Sequence, residues 1–246
     1  MQEKRPKGSI EAVLFDLDGT LLRAQMREFI PQYIRGLSAY CADIVNPQKF
    51  EKTLLTVIRE LIHIEGDGLQ TNEERVYARM QRELAIPEAK MRESLDHFEK
   101  NDLQGLEKYI RPIPLAKQIV KGCHAKGVPL VLATNPVFPL FMIKARMQWA
   151  GIEEESFAFT TSYENSYYCK PQSGYFEGIV TQLGIAPENC LMVGNDLSHD
   201  LSAVAVGMRT YLVDTWVIDR EGPEWPCENR GDHSSLQRFL REELDC

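Results

Sequence analysis

Two aspartates, Asp16 and Asp18, stand two residues apart in the stretch VLFDLDGTLL, residues 13–22. In extended chain that spacing turns both side chains to the same side. Paired carboxylates beside a core are costly unless something neutralises them. A third acid, Asp196, stands in GNDLSHD (194–200), with Asp200 four residues beyond it. Oxygen-only ligands at that density call for a hard divalent cation, and Mg²⁺ with retained waters fits best. Groups of opposite character recur elsewhere: Lys170 in CKP (169–171), the Thr134 hydroxyl, and the turn after Asp18, where Gly19 would let the backbone approach an anion. Together they make a cradle for a phosphate. With one carboxylate as nucleophile and its neighbour as acid and base, the set could carry covalent catalysis.

These residues are far apart in the chain, so the fold must gather them. Residues 11–16 (EAVLFD) read as a strand ending at Asp16. From about 24 to 104 the pattern is helical: Phe29, Ile30, Tyr33, Ile34, Leu37, Cys41 and Ile44 recur at three and four, as do Phe50, Leu54, Val57, Ile58, Leu61 and Ile62. Thr71 and Glu74 have the spacing of a capping box opening a third helix through Leu84, and Pro87 opens a fourth at a first-turn position. After RPIP (111–114), helices over 114–126, 138–149 and 172–183 alternate with strands over 128–134, 157–161 and 190–193. Gly151 and Gly184 end the second and third of these helices. A further helix is expected up to Gly207, then a strand at 210–213, a loop over 218–233 and a closing helix over 234–244.

Strand–helix alternation implies a parallel sheet covered on both faces. The strand at 11–16 has no partner nearby and must join that sheet. The expected fold is α/β, a Rossmann-like three-layer core with a parallel sheet, formed by residues 1–23 and 105–246. Residues 24–104 would be an inserted helical domain. In an open parallel sheet ligands bind beyond the carboxyl ends of the strands. Asp16, Asp18, Thr134, Asn135, Lys170, Asn195, Asp196 and Asp200 all follow strands, so neighbouring strands would bring them to one rim.

The composition narrows the function classes. Of 246 residues 43% are hydrophobic and 26% charged, as in ordinary globular chains, and the formal charge of −8 disfavours nucleic acid or an anionic membrane as partner. The basic start MQEKRPKGSI has no apolar run of a secretory signal, and the greasiest window, 129–143, is broken by prolines and too short to span a bilayer. Cysteines 41, 123, 169, 190, 227 and 246 form no CxxC pair and read as reduced thiols of the cytosol. Nothing in the sequence separates monomer from homodimer.

The chain resembles the haloacid dehalogenase-like (HAD) hydrolase superfamily along its whole core. DLDGT (16–20) matches the first family motif, Thr134 the second, Lys170 the third and GNDLSHD (194–200) the fourth. The resemblance implies that Asp16 attacks phosphorus to form an aspartyl-phosphate, while Asp18 protonates the leaving group and then activates water. It implies Mg²⁺ held by the Asp16 carboxylate, the Asp18 backbone carbonyl and Asp196, with Asp200 in support. Thr134 and Lys170 would bind the phosphoryl group, helped by main-chain groups near Leu17 and Asn135. The helical block would be the family's cap, which opens and closes over the site. Two features refine this. Asp18 is an acid, unlike the dehalogenase and phosphonate-hydrolysing branches. The fourth motif reads GND where GDS is commoner, and Asp196 is aligned with the metal ligand because its spacing to Asp200 is kept. The implied function is a Mg²⁺-dependent phosphatase of a small phosphorylated metabolite. The alternatives are a phosphomutase, which shares all four motifs, and a non-catalytic binding regulator, which the retention of Asp16 and Asp18 disfavours.

Other residues carry blander expectations. Asp200 could be a helix N-cap, Cys169 a packed small residue and His199 a surface residue at a helix start. Tyr163, Tyr167 and Tyr168 could line the site or pack. Glu65, Asp67 and Asp102 read as solvated, and Arg59, Arg75 and Arg79 as candidates for substrate contact.

Overall fold

A computed structural model describes residues 9–220 and 222–244, so Cys246 and the basic start before Ser9 lie outside the described residues. Eight strands and eight α-helices are found among the described residues. The strands are β1 (Ala12–Phe15), β2 (Leu22–Ala24), β3 (Ile110–Pro112), β4 (Leu130–Leu132), β5 (Phe159–Thr160), β6 (Cys190–Gly194), β7 (Arg209–Val213) and β8 (Asn229–Gly231). Six of them form one parallel sheet in the order β5-β4-β1-β6-β7-β8. The strand at the N-terminal end of the chain therefore becomes a central strand, paired with β4 on one side and β6 on the other. The strand order reverses around β1, and the crevice beyond its carboxyl end is where such sheets bind ligands.

Alternation along β1 sorts the layers. Val13 and Phe15 enter one apolar cluster with Leu130, Leu132, Leu191 and Val193. That cluster also takes the inward faces of α5 (Pro114–Ala125), α6 (Leu140–Ala150) and α8 (His233–Glu243). Ala12 and Leu14 enter a second cluster with Val131, Met192 and the Tyr175, Phe176 and Ile179 face of α7 (Ser173–Leu183). The result is the expected α/β, Rossmann-like arrangement with helices on both faces of a parallel sheet.

Four helices lie between β2 and β3: α1 (Met26–Ala39), α2 (Pro47–His63), α3 (Asn72–Leu84) and α4 (Glu88–Asn101). Each buries the apolar stripe read from the sequence, for example Phe50, Leu54, Val57, Ile58 and Leu61 on α2. The capping box of α3 forms as expected: the Glu74 amide donates to Thr71 Oγ1 at 3.2 Å, and the Thr71 amide donates to Glu74 Oε2 at 2.8 Å. Strands β2 and β3 pair antiparallel, so the block leaves and re-enters through one small ribbon.

Besides the short ribbon of β2 and β3, which the sequence did not announce, the structure departs from the expected elements in four places. No α-helix follows β6; a tight turn leads to a 3-10 segment, Leu201–Val206. There Asp196 Oδ1 accepts the amides of Ser198 and His199, while Asp200 Oδ2 accepts those of Asn195 and Asp196. These side-chain bonds hold the turn that precedes the 3-10 segment. The 218–233 segment is not all loop, because β8 pairs parallel with β7. The first helix ends at Ala39, leaving Ile44 exposed in the following turn. Pro87 is the N-cap of α4 and not a residue of its first turn.

Candidate active site

The rim at the carboxyl ends of β1, β4 and β6 opens into a cavity of about 470 Å³. Asp16, Asp18, Thr134, Asn135, Lys170, Asp196 and Asp200 all line it, so the fold brings together the polar residues expected at one site. Ile58, Arg59, Ile62 and His63 of α2 face the same space, with Met26 and Ile30 of α1.

Asp16 follows β1 directly and is buried. Its Oδ1 accepts from Lys170 Nζ at 2.8 Å. The same ammonium donates to Asp200 Oδ1 at 2.6 Å and to the Ala133 carbonyl at 2.9 Å. An ammonium has three donors, so Lys170 is fully satisfied. Burial pushes the Asp16 carboxyl up to about 7; Lys170 opposes this, while Asp200 and Asp18 add to it. Burial also works to discharge Lys170, but Asp16 and Asp200 more than offset it and hold the ammonium protonated, above its ordinary value.

Asp18 takes a different cation. Its Oδ2 accepts from Arg146 Nη1 at 2.6 Å, and Arg146 is fully buried on α6. The sequence reading did not single out Arg146. The signal was present: it falls in register with Met142, Ile143, Met147 and Ala150, the buried stripe of that helix, and a charge on such a stripe needs a partner.

Gly19 is placed differently from the expectation. Its N–H donates to the Leu22 carbonyl at 2.7 Å, so that amide is not free for an anion. The glycine is needed for another reason: its φ is +95°, and a Cβ would stand 2.1 Å from Asn195 Nδ2. The Leu17 side chain is wholly buried, and its carbonyl accepts the amides of Thr20, Leu21 and Leu22. Asn135 Nδ2 donates to the Lys170 carbonyl at 3.3 Å, while its Oδ1 has no partner.

Asp200 has both oxygens engaged, Oδ1 by Lys170 and Oδ2 by two amides, so it supports the ammonium and does not cap a helix. Asp196 Oδ1 is bound to two amides, and its Oδ2 meets Arg220 Nε at 2.6 Å. Burial opposes ionisation of Asp196, but His199 and Arg220 beside it hold its carboxyl below the usual range. Among the described residues no cluster of three or more acidic, His or Cys side chains forms a metal-holding group. Mg²⁺ does not require one, because it is commonly held by one or two carboxylates plus waters and substrate phosphate. Asp16 and Asp196, both carboxylates on the same cavity, fit that oxygen-only donor set.

The remaining candidates sort by position. His199 is half-buried and lines the cavity, because no helix forms to carry it to the surface. Tyr163 is buried against Tyr77, with the two hydroxyls 3.3 Å apart, while Tyr167 and Tyr168 line a separate cavity of about 190 Å³. None of the three faces the rim cavity. Cys169 is packed, and burial pushes its thiol up to about 12. Arg75 is tied to Asn72 and the Ile64 carbonyl, and Arg79 to Glu60 and Glu83, which leaves Arg59 as the candidate arginine on the cavity. Glu65 and Asp67 are exposed, while Asp102 accepts a hydrogen bond from Tyr40.

The chain was compared with known proteins. The sequence model of a family described as haloacid dehalogenase-like hydrolase matches residues 10–207. No curated protein matches the chain in sequence. Among solved structures, CbbY from Rhodobacter sphaeroides in complex with phosphate superposes with a TM-score of 0.57 at 20% identity, covering 96% of this chain and 100% of that one. A predicted phosphoglycolate phosphatase from Haemophilus somnus 129PT gives 0.56 at 16% identity, covering 94% and 98%. A HAD phosphatase from Thermococcus onnurineus gives 0.55 at 18% identity, with the same coverage. Dehalogenases of the same fold are also similar.

Proposed function

The chain belongs to the haloacid dehalogenase-like hydrolases, and from that premise we propose that it is a Mg²⁺-dependent phosphatase acting on a small phosphorylated metabolite through an aspartyl-phosphate. The observation that carries this reading is two carboxylates on one cavity, each paired with a buried cation: Asp16 with Lys170 at 2.8 Å and Asp18 with Arg146 at 2.6 Å. An enzyme that displaces a halide has no need of an acid for its leaving group, whereas an alkoxide leaving a phosphate ester needs a proton. Asp18 supplies that group.

In this reading Asp16 is the nucleophile, fixed by Lys170 so that one oxygen is directed at phosphorus. Lys170 and Thr134 carry the charge of the phosphoryl oxygens. Asp18 gives its proton to the departing oxygen and recovers one from the water that opens the aspartyl-phosphate. Asp16, the Asp18 carbonyl and Asp196 would hold Mg²⁺, which supplies charge neutralisation at the phosphoryl group and keeps Asp16 ionised. Asp200 acts through Lys170. The helices of residues 24–104 serve as the cap, with Arg59 and His63 over the cavity to meet the rest of the substrate. A small metabolite suits the cavity of about 470 Å³. The chain charge of −8 argues against nucleic acid or an anionic membrane as partner. We place the protein in the cytosol, as monomer or homodimer, with Cys41, Cys123, Cys169, Cys190 and Cys227 in no disulfide. No helix among the described residues is long and apolar enough to cross a membrane.

The test is hydrolysis of an aryl phosphate by wild type and Asp16→Asn, with Mg²⁺ and with EDTA. Turnover that requires both the metal and Asp16 is expected. Full activity in Asp16→Asn, or in EDTA, would overturn the reading.

A further inference from the structure

Arg146 is a charge at a core position. It is fully buried, and its guanidinium carbon lies 5.1 Å from the Phe138 ring centroid and 5.7 Å from that of Phe29. Among the described residues its one carboxylate partner is Asp18. Three polar atoms around this pair have no partner: Arg146 Nε, Arg146 Nη2 and Asp18 Oδ1. Buried donors without acceptors are expensive, and a buried arginine costs more than an apolar residue of similar length. Packing alone would place Met or Leu at this point of α6, so the charge answers to Asp18.

Arg146 does not line the cavity, whereas Asp18 and Phe138 do. The guanidinium therefore reaches the chemistry through Asp18 and not by touching substrate. We infer that Arg146 is the positioning residue of the acid–base step: it pins Asp18 by Oδ2 and so fixes the direction in which that carboxyl faces the cavity. This rests on the phosphatase reading. In the first half-reaction the bond from Asp16 to phosphorus forms, the bond from phosphorus to the ester oxygen breaks, and the Asp18 proton moves to that oxygen. In the second, water attacks phosphorus, its proton goes to Asp18, and the bond to Asp16 breaks. The second motif and the acid–base step are thereby joined, because Thr134, Asn135, Phe138 and Arg146 lie on one connection from β4 into α6.

The test is the leaving-group dependence of kcat/KM, which reports formation of the aspartyl-phosphate alone. Alkyl phosphates need a proton on the departing oxygen; p-nitrophenyl phosphate does not. Arg146→Met should lower kcat/KM for alkyl phosphates about 10–100-fold and for p-nitrophenyl phosphate less than about 3-fold, a part of the usual acid–base contribution. Because the residue acts through Asp18, Arg146→Met should change the rate of Asp18→Asn by less than about 3-fold. Arg146→Lys, which keeps a charge, should recover part of the alkyl activity. If Arg146→Met fails to unfold cooperatively, Arg146→Gln carries the same comparison. Equal loss on both substrate classes, or loss that persists in Asp18→Asn, would overturn the inference. Wild-type inactivity on every phosphate ester would overturn the phosphatase reading and this role with it, so the wild-type lane tells the two failures apart.

Discussion

Replacing Lys170 with Met should unfold the site from within. The ammonium makes three hydrogen bonds, two to carboxylates at 2.8 and 2.6 Å and one to the Ala133 carbonyl at 2.9 Å, and the residue is 2% exposed. Methionine fills similar volume, so the cavity contribution is small and the loss is electrostatic. It strands Asp16 and Asp200, which Lys170 holds together. Removing one partner of a buried ion pair costs about 3–5 kcal/mol. For a chain of this size that is about 6–20 °C in Tm. Denaturant and thermal unfolding in EDTA would measure it at pH 5 and pH 8. The loss should be larger at pH 8, because Asp16 can escape the penalty at pH 5 by taking a proton. Lys170→Met with Asp200→Asn should recover at least about 1 kcal/mol, since one stranded charge is removed. Asparagine can still accept the Asn195 and Asp196 amides that now bind Asp200 Oδ2. A loss below about 1 kcal/mol, or the same loss at both pH values, would refute the argument that Lys170 is the keystone of a buried charge cluster.

Asp16 gives a second stability test in the metal-free protein. Its carboxyl is raised from 3.8 to about 7, so the folded state holds a proton that the unfolded chain has released, and stability falls as pH rises through that window. Asp16→Asn should therefore raise Tm relative to wild type at pH 8 and change it little near pH 4; no difference between the two would refute the desolvation argument. The division into core and cap predicts that limited proteolysis cuts first near residues 22–26 or 104–114, where β2 and β3 carry the chain in and out of the helical block. First cuts inside a region 114–246 that is otherwise uniformly protected would speak against that division.

Much of the site was legible because its chemistry is written in residue type and placement after strands. The apolar run before Asp16 could hardly be anything but a buried strand, and parallel sheets gather their carboxyl ends. The α3 cap was legible for a similar reason: Thr71 and Glu74 act on each other locally, with no help from the rest of the fold. What was missed depends on tertiary partners. Strands β2, β3 and β8 have three residues each, too few for a period to show. The helix expected after β6 is replaced by a tight turn in which Asp196 takes the Ser198 and His199 amides and Asp200 those of Asn195 and Asp196, a tertiary arrangement that periodicity does not announce. Gly19 was assigned to an anion, but the space beside it belongs to the Asn195 amide. Arg146 was passed over because it reads as one more arginine until Met142, Ile143, Met147 and Ala150 are seen to point the same way.

The two carboxylates that the proposed mechanism uses are built on the same plan with opposite tolerances. Each pairs with a buried cation delivered by a different segment, Lys170 from the loop after β5 and Arg146 from α6. Around Asp16 there is no slack: all three Lys170 donors are filled, and both Asp200 oxygens are committed. Around Asp18 three buried polar atoms wait without partners. A nucleophile gains from being fixed, since its reach to phosphorus is a matter of orientation already settled before substrate arrives. A group that gives and recovers a proton in each turnover has to change partners, and full satisfaction in the resting state would oppose that. On the proposed mechanism, the unfilled positions beside Asp18 leave room for such a change of partners. The same physics of a buried ion pair underlies both Lys170 as a keystone and the positioning role proposed for Arg146.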